Sequence, residues 1–350
     1  MTLSNAFNDA SQPILVEITR GSIVESRNRG AIAVVNGGGT LVAATGDTEF
    51  VSYLRSAAKP HQTIAVVLSG AADHFKISAK ELSLMSGSHS GEPYHAECAA
   101  SILDKIGLQK NALKCGIHPP FSRTAAKALG DAVNELHNNC SGKHAGMLAQ
   151  ALHGGYSTED YYVLDHPVQR YITSIVAEFA NCKESDLVVA VDGCTVATFG
   201  MSIAAMAVVY AKLVNPSSLR ERLQMATNRV VTAMLDYPEM VAADTGRIDT
   251  DLMRLLPGSL VAKAGAEGVY TMGMKPCQRY PEGLGIALKI EDGEIGRSRN
   301  VVAIETLSQL GLISTQQKQQ LFESYVPPIK NNRSMIVGEV RPAFELKFLS

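Results

Sequence analysis

Sequence typical of β-strands is concentrated near the two ends of this 350-residue chain, whereas its middle has the apolar periodicity of helices. Near the N-terminus, Arg20-Gly21 and Asn36-Gly37-Gly38-Gly39 are hairpin turn signals between short apolar or alternating runs. This pattern predicts an antiparallel meander. Its strands are expected over residues 14–19, 22–26, 31–35 and 41–45.

The C-terminal part of the chain supplies strands as well. Residues 284–290 and 294–297 flank Glu291-Asp292-Gly293, a turn signal that predicts another hairpin, and residues 337–348 also look extended. Helical spacing of apolar residues fills the region between the strand-rich ends and recurs over residues 301–325. The helices predicted in the middle cover residues 60–68, 92–106, 124–137, 145–152, 167–179, 199–214 and 217–235.

Strands at both ends of a chain with helices between them predict one sheet that is closed by the termini. The expected fold class is α/β, of the α+β type, with an antiparallel sheet built from the N- and C-terminal segments and an inserted helical lobe. We expect residues 1–350 to form a single unit. Its sheet lobe would comprise residues 10–55 and 260–350, and its helical lobe residues 56–259.

The composition narrows the possible partners and the cellular location. The formal net charge is −2 and no run of Lys or Arg is long, which argues against nucleic acid or an anionic membrane as a partner. Residues 199–214 form the longest apolar run, which is shorter than a bilayer span. Residues 1–13 lack the basic and apolar regions of a secretory signal, so we expect a cytoplasmic protein. Its six cysteines, without a Cys-x-x-Cys pair, are then expected to be free thiols.

Ser56 and Lys59 lie three residues apart in Arg55-Ser56-Ala57-Ala58-Lys59-Pro60, where a helix is predicted to begin. Residues i and i+3 share a helical face, so a neutral Lys59 can take the proton of Ser56 and free its Oγ to attack an acyl carbon. That requires the pKa of Lys59 to fall by roughly three units, through burial or a neighbouring cation such as Arg55. The alternative is an exposed helix start with Ser56 as its N-cap.

Two further elements follow in an order that suits the same chemistry. Ser88-His89-Ser90 comes first, and Lys263 follows later, at the end of an apolar run and two residues before Gly265. In serine acyl enzymes with a Ser-x-x-Lys motif, a Ser-x-polar element and a Lys-x-Gly strand line the site in this order. Ser88 and Lys263 are therefore candidate catalytic residues, although each alone is as typical of a turn or a surface.

Two cysteine-containing segments form a candidate metal site. Cys140, Lys143 and His144 precede a predicted helix, and Cys194 lies in a turn after an apolar strand, a frequent position for site residues. Cys140 with His144 or Lys143, joined by Cys194, would hold one zinc ion in an open site. The spacing matches no common zinc pattern, and buried cysteines often serve simply as small hydrophobic residues.

Five segments carry a resemblance that covers nearly the whole chain. They are Arg-Ser-Ala-Ala-Lys-Pro at 55–60, Ser-Gly-Ser-His-Ser-Gly-Glu at 86–92, Asn-Asn-Cys-Ser-Gly-Lys-His at 138–144, Val-Asp-Gly-Cys at 191–194 and Ala-Lys-Ala-Gly-Ala-Glu-Gly at 262–268. In these segments and their order, the chain resembles the rhizobial-type L-asparaginases, the asparaginase II family. The resemblance implies a fold similar to that of serine β-lactamases and glutaminases, and a homodimer that hydrolyses L-asparagine.

The resemblance also implies roles for individual residues. Two Ser-Lys tandems, Ser56 with Lys59 and Ser88 with Lys263, would form the catalytic machinery of a single catalytic unit, with Ser56 as the nucleophile. A zinc ion would lie beside them, with water completing its shell. The residues implied as metal ligands are Cys140, Lys143 and Cys194, and those expected to contact the substrate are Arg55, His144 and Asp192.

Three alternative functions share some of these features. A glutaminase or another Ser-x-x-Lys amidase would use every motif and differ only in pocket length. A β-lactam-recognising serine protein would use the same serine and lysines, but such proteins usually act outside the cytoplasm. A non-catalytic zinc- or amino-acid-binding module would keep the ligands without turnover.

Overall fold

A computed structural model describes residues 12–349 of the chain. Most of the N-terminal segment considered for a signal, residues 10 and 11 of the predicted sheet lobe, and residue 350 lie outside the described residues. The strands are β1 Ile14–Arg20, β2 Ile23–Asn36, β3 Leu41–Thr45, β4 Val51–Tyr53, β5 Val188–Val191, β6 Ala197–Ser202, β7 Leu260–Ala264, β8 Val269–Met274, β9 Leu284–Ile290, β10 Ile329–Lys330, β11 Ile336–Gly338, β12 Val340–Pro342 and β13 Lys347–Phe348. The helices are α1 Lys59–Leu68, α2 Ala71–His74, α3 Ala79–Met85, α4 Pro93–Lys105, α5 Arg123–Leu129, α6 Ser141–His153, α7 Pro167–Ala180, α8 Ile203–Val214, α9 Glu221–Asp236, α10 Pro238–Val241, α11 Ile248–Leu255, α12 Asn300–Gln309 and α13 Thr315–Tyr325.

The main sheet joins strands from both ends of the chain. Its order is β12-β1-β2-β9-β8-β7, and β3 pairs with both β2 and β13. All of these pairs are antiparallel. The predicted fold class, a mixed α/β fold whose antiparallel sheet is built by both terminal segments, is therefore confirmed.

Helix α8 packs directly on the centre of this sheet. All seven residues of β9 are buried, so both faces of the strand are covered. A Cβ atom at Gly285 would lie 1.9 Å from the carbonyl oxygen of Ala207, which means that only glycine allows the helix to approach so closely. At Gly273 of β8, a Cβ atom would lie 2.5 Å from Cγ1 of Val214. One hydrophobic core consequently runs through the strands and the central helices.

Helix α1 runs through the interior of the protein, and all ten of its residues are buried. It starts directly after the 3-10 turn Arg55–Ala58, and Pro60 in its first turn suits a helix start because no intrahelical N–H donor is needed there. Strand β4, which belongs to a small sheet of order β4-β6-β5, leads into this turn. Lys59 is thus the first residue of a rigid, fully buried helix.

Several predicted boundaries are wrong. The runs over 22–26 and 31–35 form the single strand β2. Residues 294–297 are not a strand: the Glu294 side chain accepts from the backbone N–H of Arg297 and starts a π-helical turn that leads into α12. The apolar run over 199–214 is a helix only from Ile203, because its first residues complete β6 and Ser202 caps the helix by accepting from the Ala205 N–H.

The region between the sheet-forming ends is mainly helical, as predicted, and also contributes β5 and β6. The stretch predicted as one helix over 301–325 is divided into α12 and α13 at Gly311, whose φ is +66°. Within residues 12–349, no helix has both the length and the apolar character required to cross a bilayer.

Candidate active site

The segment that carries Ser56 directly precedes helix α1 and has a strained backbone conformation. Arg55 has φ +51°, which is unfavourable for a residue with a side chain, and its Nε donates to Asp192 Oδ1 at 2.7 Å. Ser56 is partly exposed, whereas Lys59 is 1% exposed. The Arg55–Asp192 pair therefore joins the turn before α1 to the turn after β5.

The Lys59 amine is enclosed by three acceptors. Its Nζ lies 2.6 Å from the Gly87 carbonyl oxygen, 2.9 Å from Ser88 Oγ and 3.0 Å from the Asn139 carbonyl oxygen. Helices α3 and α6 place these acceptors, since Gly87 and Ser88 follow α3 and Asn139 precedes α6. All three donor positions of a lysine ammonium are thus occupied.

Ser88 lies between two buried lysines. Its Oγ is 2.9 Å from Nζ of Lys59 and 3.0 Å from Nζ of Lys263, and Lys263 also donates to the Ala264 carbonyl oxygen at 2.7 Å. Lys263 is on β7 and is fully buried. The structure consequently brings three of the four predicted catalytic residues into one hydrogen-bonded chain, from a helix, a loop and a strand.

The hydrogen-bond geometry indicates where the protons lie in this chain. Burial lowers the pKa of both amines, and for Lys263 it does so to about 7 despite the opposing charge of Asp249. A charged Lys59 satisfies its three acceptors, and Ser88 can then donate its single hydrogen to a neutral Lys263. In either assignment one N–H of Lys263 lacks a partner among the described residues, and an unpaired N–H costs more on a charged amine than on a neutral one. We therefore assign the charge of the resting pair to Lys59.

Ser56 is not bonded to Lys59 in this arrangement. Among the described residues, its Oγ makes no hydrogen bond, and the three positions around Lys59 Nζ belong to Gly87, Ser88 and Asn139. The i to i+3 spacing places the two residues on one turn, as expected. Direct proton transfer from Ser56 thus requires Lys59 to release one partner.

Cys140, Lys143 and Cys194 form a buried cluster next to this chain. Lys143 Nζ lies 2.9 Å from Cys194 Sγ. The interaction with the neighbouring Cys140 is the main cause that lowers the pKa of the Cys194 thiol to about 5, and the same interaction raises the pKa of Cys140 to about 12. Burial disfavours a charged Lys143, but the two sulfur atoms outweigh it and raise the pKa of Lys143. The cluster is thus a thiol, a thiolate and an ammonium.

The donor set of this cluster fits zinc. Two sulfur atoms and one nitrogen converge, and one sulfur is already a thiolate, the form that binds metal. The remaining thiol and the Lys143 ammonium would each have to lose a proton on binding. Within residues 12–349, no group of three His, Cys, Asp or Glu side chains is placed to hold a metal ion, so a zinc site here depends on the lysine.

His144 and Asp192 lie beside the cluster, and the pKa of each is shifted by its surroundings. The Tyr161 hydroxyl accepts from the Lys114 backbone N–H at 2.9 Å and shares a hydrogen bond of 2.7 Å with Nδ1 of His144. Burial lowers the pKa of His144 to about 3. Burial also opposes ionisation of Asp192, but Lys143 and Arg55 outweigh it and lower the pKa of the Asp192 carboxyl.

Backbone strain accompanies three of the segments that deliver site residues. Besides Arg55, Thr195 has φ +79°, directly after Cys194, and Glu267 has φ +53° in the turn after β7. The β-branched Thr195 is held there by hydrogen bonds from its hydroxyl to carbonyl oxygens, including that of Lys114 at 2.8 Å. Strained residues of this kind persist where the surrounding structure fixes a functional geometry.

Sequence reasoning missed the groups that hold the predicted side chains. The carbonyl groups of Gly87 and Asn139 have no side-chain signature, so residue types could not reveal them. Tyr161, whose hydroxyl is hydrogen-bonded to Nδ1 of His144, lies 17 residues away from it in the sequence, in a segment without a motif. The only sequence signal for the carbonyl contacts is that Gly87 directly precedes Ser88 and Asn139 directly precedes Cys140.

Comparison with known proteins gives a family match over most of the chain. A family model described as L-asparaginase II matches residues 16–342. The chain has no match among curated proteins. The solved structures it resembles include a probable glutaminase from Bacillus subtilis complexed with 6-diazo-5-oxo-L-norleucine, at 12% identity and a TM-score of 0.38, with 85% of this chain and 84% of that chain covered. A Bacillus glutaminase in 4.3 M NaCl gives 13% identity, a TM-score of 0.37 and coverages of 85% and 91%. Similarity at this level says nothing about the substrate of this chain.

Proposed function

The chain belongs to the L-asparaginase II family, and on that premise we propose that it hydrolyses the side-chain amide of L-asparagine to aspartate and ammonia, with Ser56 as nucleophile. Family membership makes the protein an amidohydrolase. The observation that best supports the proposed mechanism is the position of the Ser88 hydroxyl between the amines of Lys59 and Lys263. Such a chain moves a proton between two bases without exposing either to solvent.

The first step of the proposed mechanism prepares Lys59 as the base. Lys59 passes a proton to Ser88 Oγ while Ser88 passes its own hydrogen to Lys263, which makes Lys59 neutral and Lys263 charged. Lys59 then has a free electron pair and can turn from Ser88 to the Ser56 hydroxyl. Burial lowers the pKa of both amines, which reduces the cost of leaving either of them neutral during this exchange.

The second step forms the acyl-enzyme. Ser56 Oγ bonds to the amide carbon as its proton moves to Lys59, and the carbonyl oxygen becomes an oxyanion. The backbone N–H of Ser56, in the first turn before α1, is the proposed oxyanion donor, because the first N–H groups of a helix have no intrahelical partner. The C–N bond then breaks as Lys263, through Ser88, gives its proton to the leaving nitrogen, and ammonia departs.

Hydrolysis of the β-aspartyl ester repeats the same proton transfers. Lys59 again passes its proton to Lys263 through Ser88 and then takes a proton from water as the water oxygen bonds to the ester carbon. As the bond from Ser56 Oγ to that carbon breaks, Lys59 gives this proton to Ser56, and the reverse transfer through Ser88 restores the charged Lys59 and the neutral Lys263. The charged Arg55 and Asp192 and the neutral His144 are proposed to contact the amino-acid substrate. Zinc, held by Cys140, Lys143 and Cys194, would supply a fixed positive charge that orients a polar substrate group.

The test is ammonia release from asparagine, with glutamine as the comparison substrate. Ser56→Ala should abolish release, whereas Ser52→Ala, a partly buried serine on β4, should leave it intact. A diazo-ketone analogue of asparagine should label wild-type protein on the Ser56 peptide in a mass spectrum. Substantial turnover by Ser56→Ala would exclude Ser56 as the nucleophile. Asparagine binding without any ammonia would instead identify a binding module, and faster release from glutamine would identify a glutaminase.

A further inference from the structure

A second carboxylate lies behind the strand that carries Lys263. Asp249 is in the first turn of α11 and is 1% exposed. Its Oδ1 accepts from the Ala264 backbone N–H at 2.5 Å, and the carbonyl oxygen of the same Ala264 accepts from Lys263 Nζ at 2.7 Å. The carboxylate thus holds the end of β7 at the residue that also binds the Lys263 amine.

The other oxygen of this carboxylate is unpaired. Asp249 Oδ2 is buried and has no hydrogen-bond partner within the described part of the chain, and the nearest cation, Nη2 of Arg247, is 3.9 Å away. A buried charged oxygen without a hydrogen bond costs free energy. An asparagine would satisfy the Ala264 contact without that charge, so structural support alone does not account for the carboxylate.

The cations around Lys263 explain why Asp249 carries a charge. Positively charged groups surround Lys263. Its pKa is lowered by Lys59, at the other end of the Ser88 bridge, and by Arg247 and Arg299, whereas Asp249 raises it. The Arg299 side chain donates to the Gly265 carbonyl and lies over the Tyr270 ring, so its cation remains close to the strand. The charged and titratable groups around Lys263 and Asp249 are Lys59 of α1, Tyr210 of α8, Arg247 before α11, Tyr270 of β8, Arg299 before α12, and Tyr325 of α13, which bonds to Asp251.

We propose that Asp249 is a positioning residue of the proton relay: its carboxylate fixes the end of β7 and supplies the anion that allows Lys263 to accept the proton passed through Ser88. Without it, Lys263 would face Lys59, Arg247 and Arg299 with no compensating charge. A protonated Lys263 would then be disfavoured, and Lys59 would keep its proton. The catalytic consequence rests on the proposed function, but the effect on the Lys263 amine does not.

The test is the ionisation of Lys263 in the full-length protein, measured by NMR with 13C at the lysine Cε. Comparison with Lys263→Met assigns its signal. In Asp249→Asn, which keeps an oxygen for the Ala264 N–H and removes only the charge, the midpoint should fall from about 7 by about one pH unit or more. Asp251→Asn, two residues along the same helix, is the matched control and should leave the midpoint unchanged.

A second readout is the pH profile of ammonia release. Since the relay needs a neutral Lys263, the acid limb of kcat/KM should move to lower pH in Asp249→Asn by the same amount as the NMR midpoint. If Asp249 only supported the fold, Asp249→Asn would lower kcat/KM without shifting the acid limb of the pH profile. An NMR midpoint that does not move in Asp249→Asn overturns the inference even if the wild type is an active amidase.

The inference can be tested even if the wild type proves inactive or if Asp249→Asn fails to fold. A shifted midpoint in a protein without amidase activity supports the role of Asp249 while the proposed function fails. Arg247→Gln provides the second variant, because it removes a partly buried cation that lowers the pKa of Lys263 and lies 3.9 Å from the Asp249 carboxylate. The Lys263 midpoint should then rise, and an unchanged or lower midpoint would contradict the proposal.

Discussion

Acidification should destabilise the fold through His61, which lies two residues after Lys59 on the buried helix α1. The ring is fully buried: Nε2 is 3.4 Å from the Val209 carbonyl oxygen, Nδ1 has no partner within the described residues, and the rings of Phe179 and Tyr210 pack edgewise at 4.6 and 5.7 Å. Burial in these surroundings lowers the pKa of His61 from 6.5 to about 4. The native protein therefore holds this ring neutral.

The sign and size of the effect follow from that difference in pKa. As the pH falls from about 6.5 to about 4, the unfolded chain binds a proton at this histidine and the native protein does not, so the free energy of unfolding decreases. Between pH 7 and pH 5 the loss from this one residue is about 2 kcal/mol. His95, whose pKa burial also lowers to about 4, adds a similar amount.

The assay is urea unfolding of wild type and His61→Leu at pH 7 and pH 5. Leucine keeps an apolar side chain against the Phe179 and Tyr210 rings and removes the titrating group, so the variant should lose about 2 kcal/mol less than wild type on acidification. His153→Leu, which alters an exposed histidine, should behave like the wild type.

Equal losses of unfolding free energy in His61→Leu and wild type would refute this account of His61. The result is also separable from the chemistry, because the acid limb of activity follows Lys263 near pH 7, where His61 has scarcely begun to affect stability. Activity should therefore fall first on acidification, and the fold should weaken at lower pH.

Two further predictions concern the packing of α8 and the metal ligands. Gly285→Ala should lower the free energy of unfolding by about 3 kcal/mol or more in urea, because its Cβ would lie 1.9 Å from the carbonyl of Ala207, whereas Gly107→Ala, with φ +70° in open space, should cost only about 1 kcal/mol. Cys140→Ser should lose zinc in elemental analysis and raise KM more than it lowers kcat, whereas Cys182→Ser should retain the metal. An equal collapse of kcat in Cys140→Ser would indicate that the metal takes part in the chemical step.

The strands were predictable where turn residues mark the ends of apolar or alternating runs. Residues 284–290 and 41–45 coincide with β9 and β3. The prediction was wrong at 294–297, where the side chain of Glu294 caps a helix and this local bond outweighs the apparent strand pattern. Short helices were missed as well: α11, only eight residues long, offers too few turns for a periodic signal, and with it the position of Asp249 escaped notice.

The side chains of the candidate site could be predicted from the sequence, but the hydrogen bonds that join them could not. Spacing placed Ser56 and Lys59 on one turn, and the order of motifs pointed to Ser88 and Lys263. The bridge between the two lysines could not be derived, because it depends on how a loop after α3 meets a strand at the sheet edge. The pattern also suggested that Lys59 acts on Ser56 directly, whereas the structure gives all three positions around its amine to other groups.

The location of the two lysines explains why the helices are inserted between the halves of the sheet. A buried amine must be paired or hydrogen-bonded, and neither lysine finds all its partners on its own element. Lys59, on a core helix, depends on carbonyls from loops that precede α6 and follow α3, and Lys263, on the edge strand β7, meets Ser88 from the helical side. Each half alone would leave an uncompensated amine in an apolar core. The proton relay can therefore exist only when the sheet, closed by both ends of the chain, meets the helices between them.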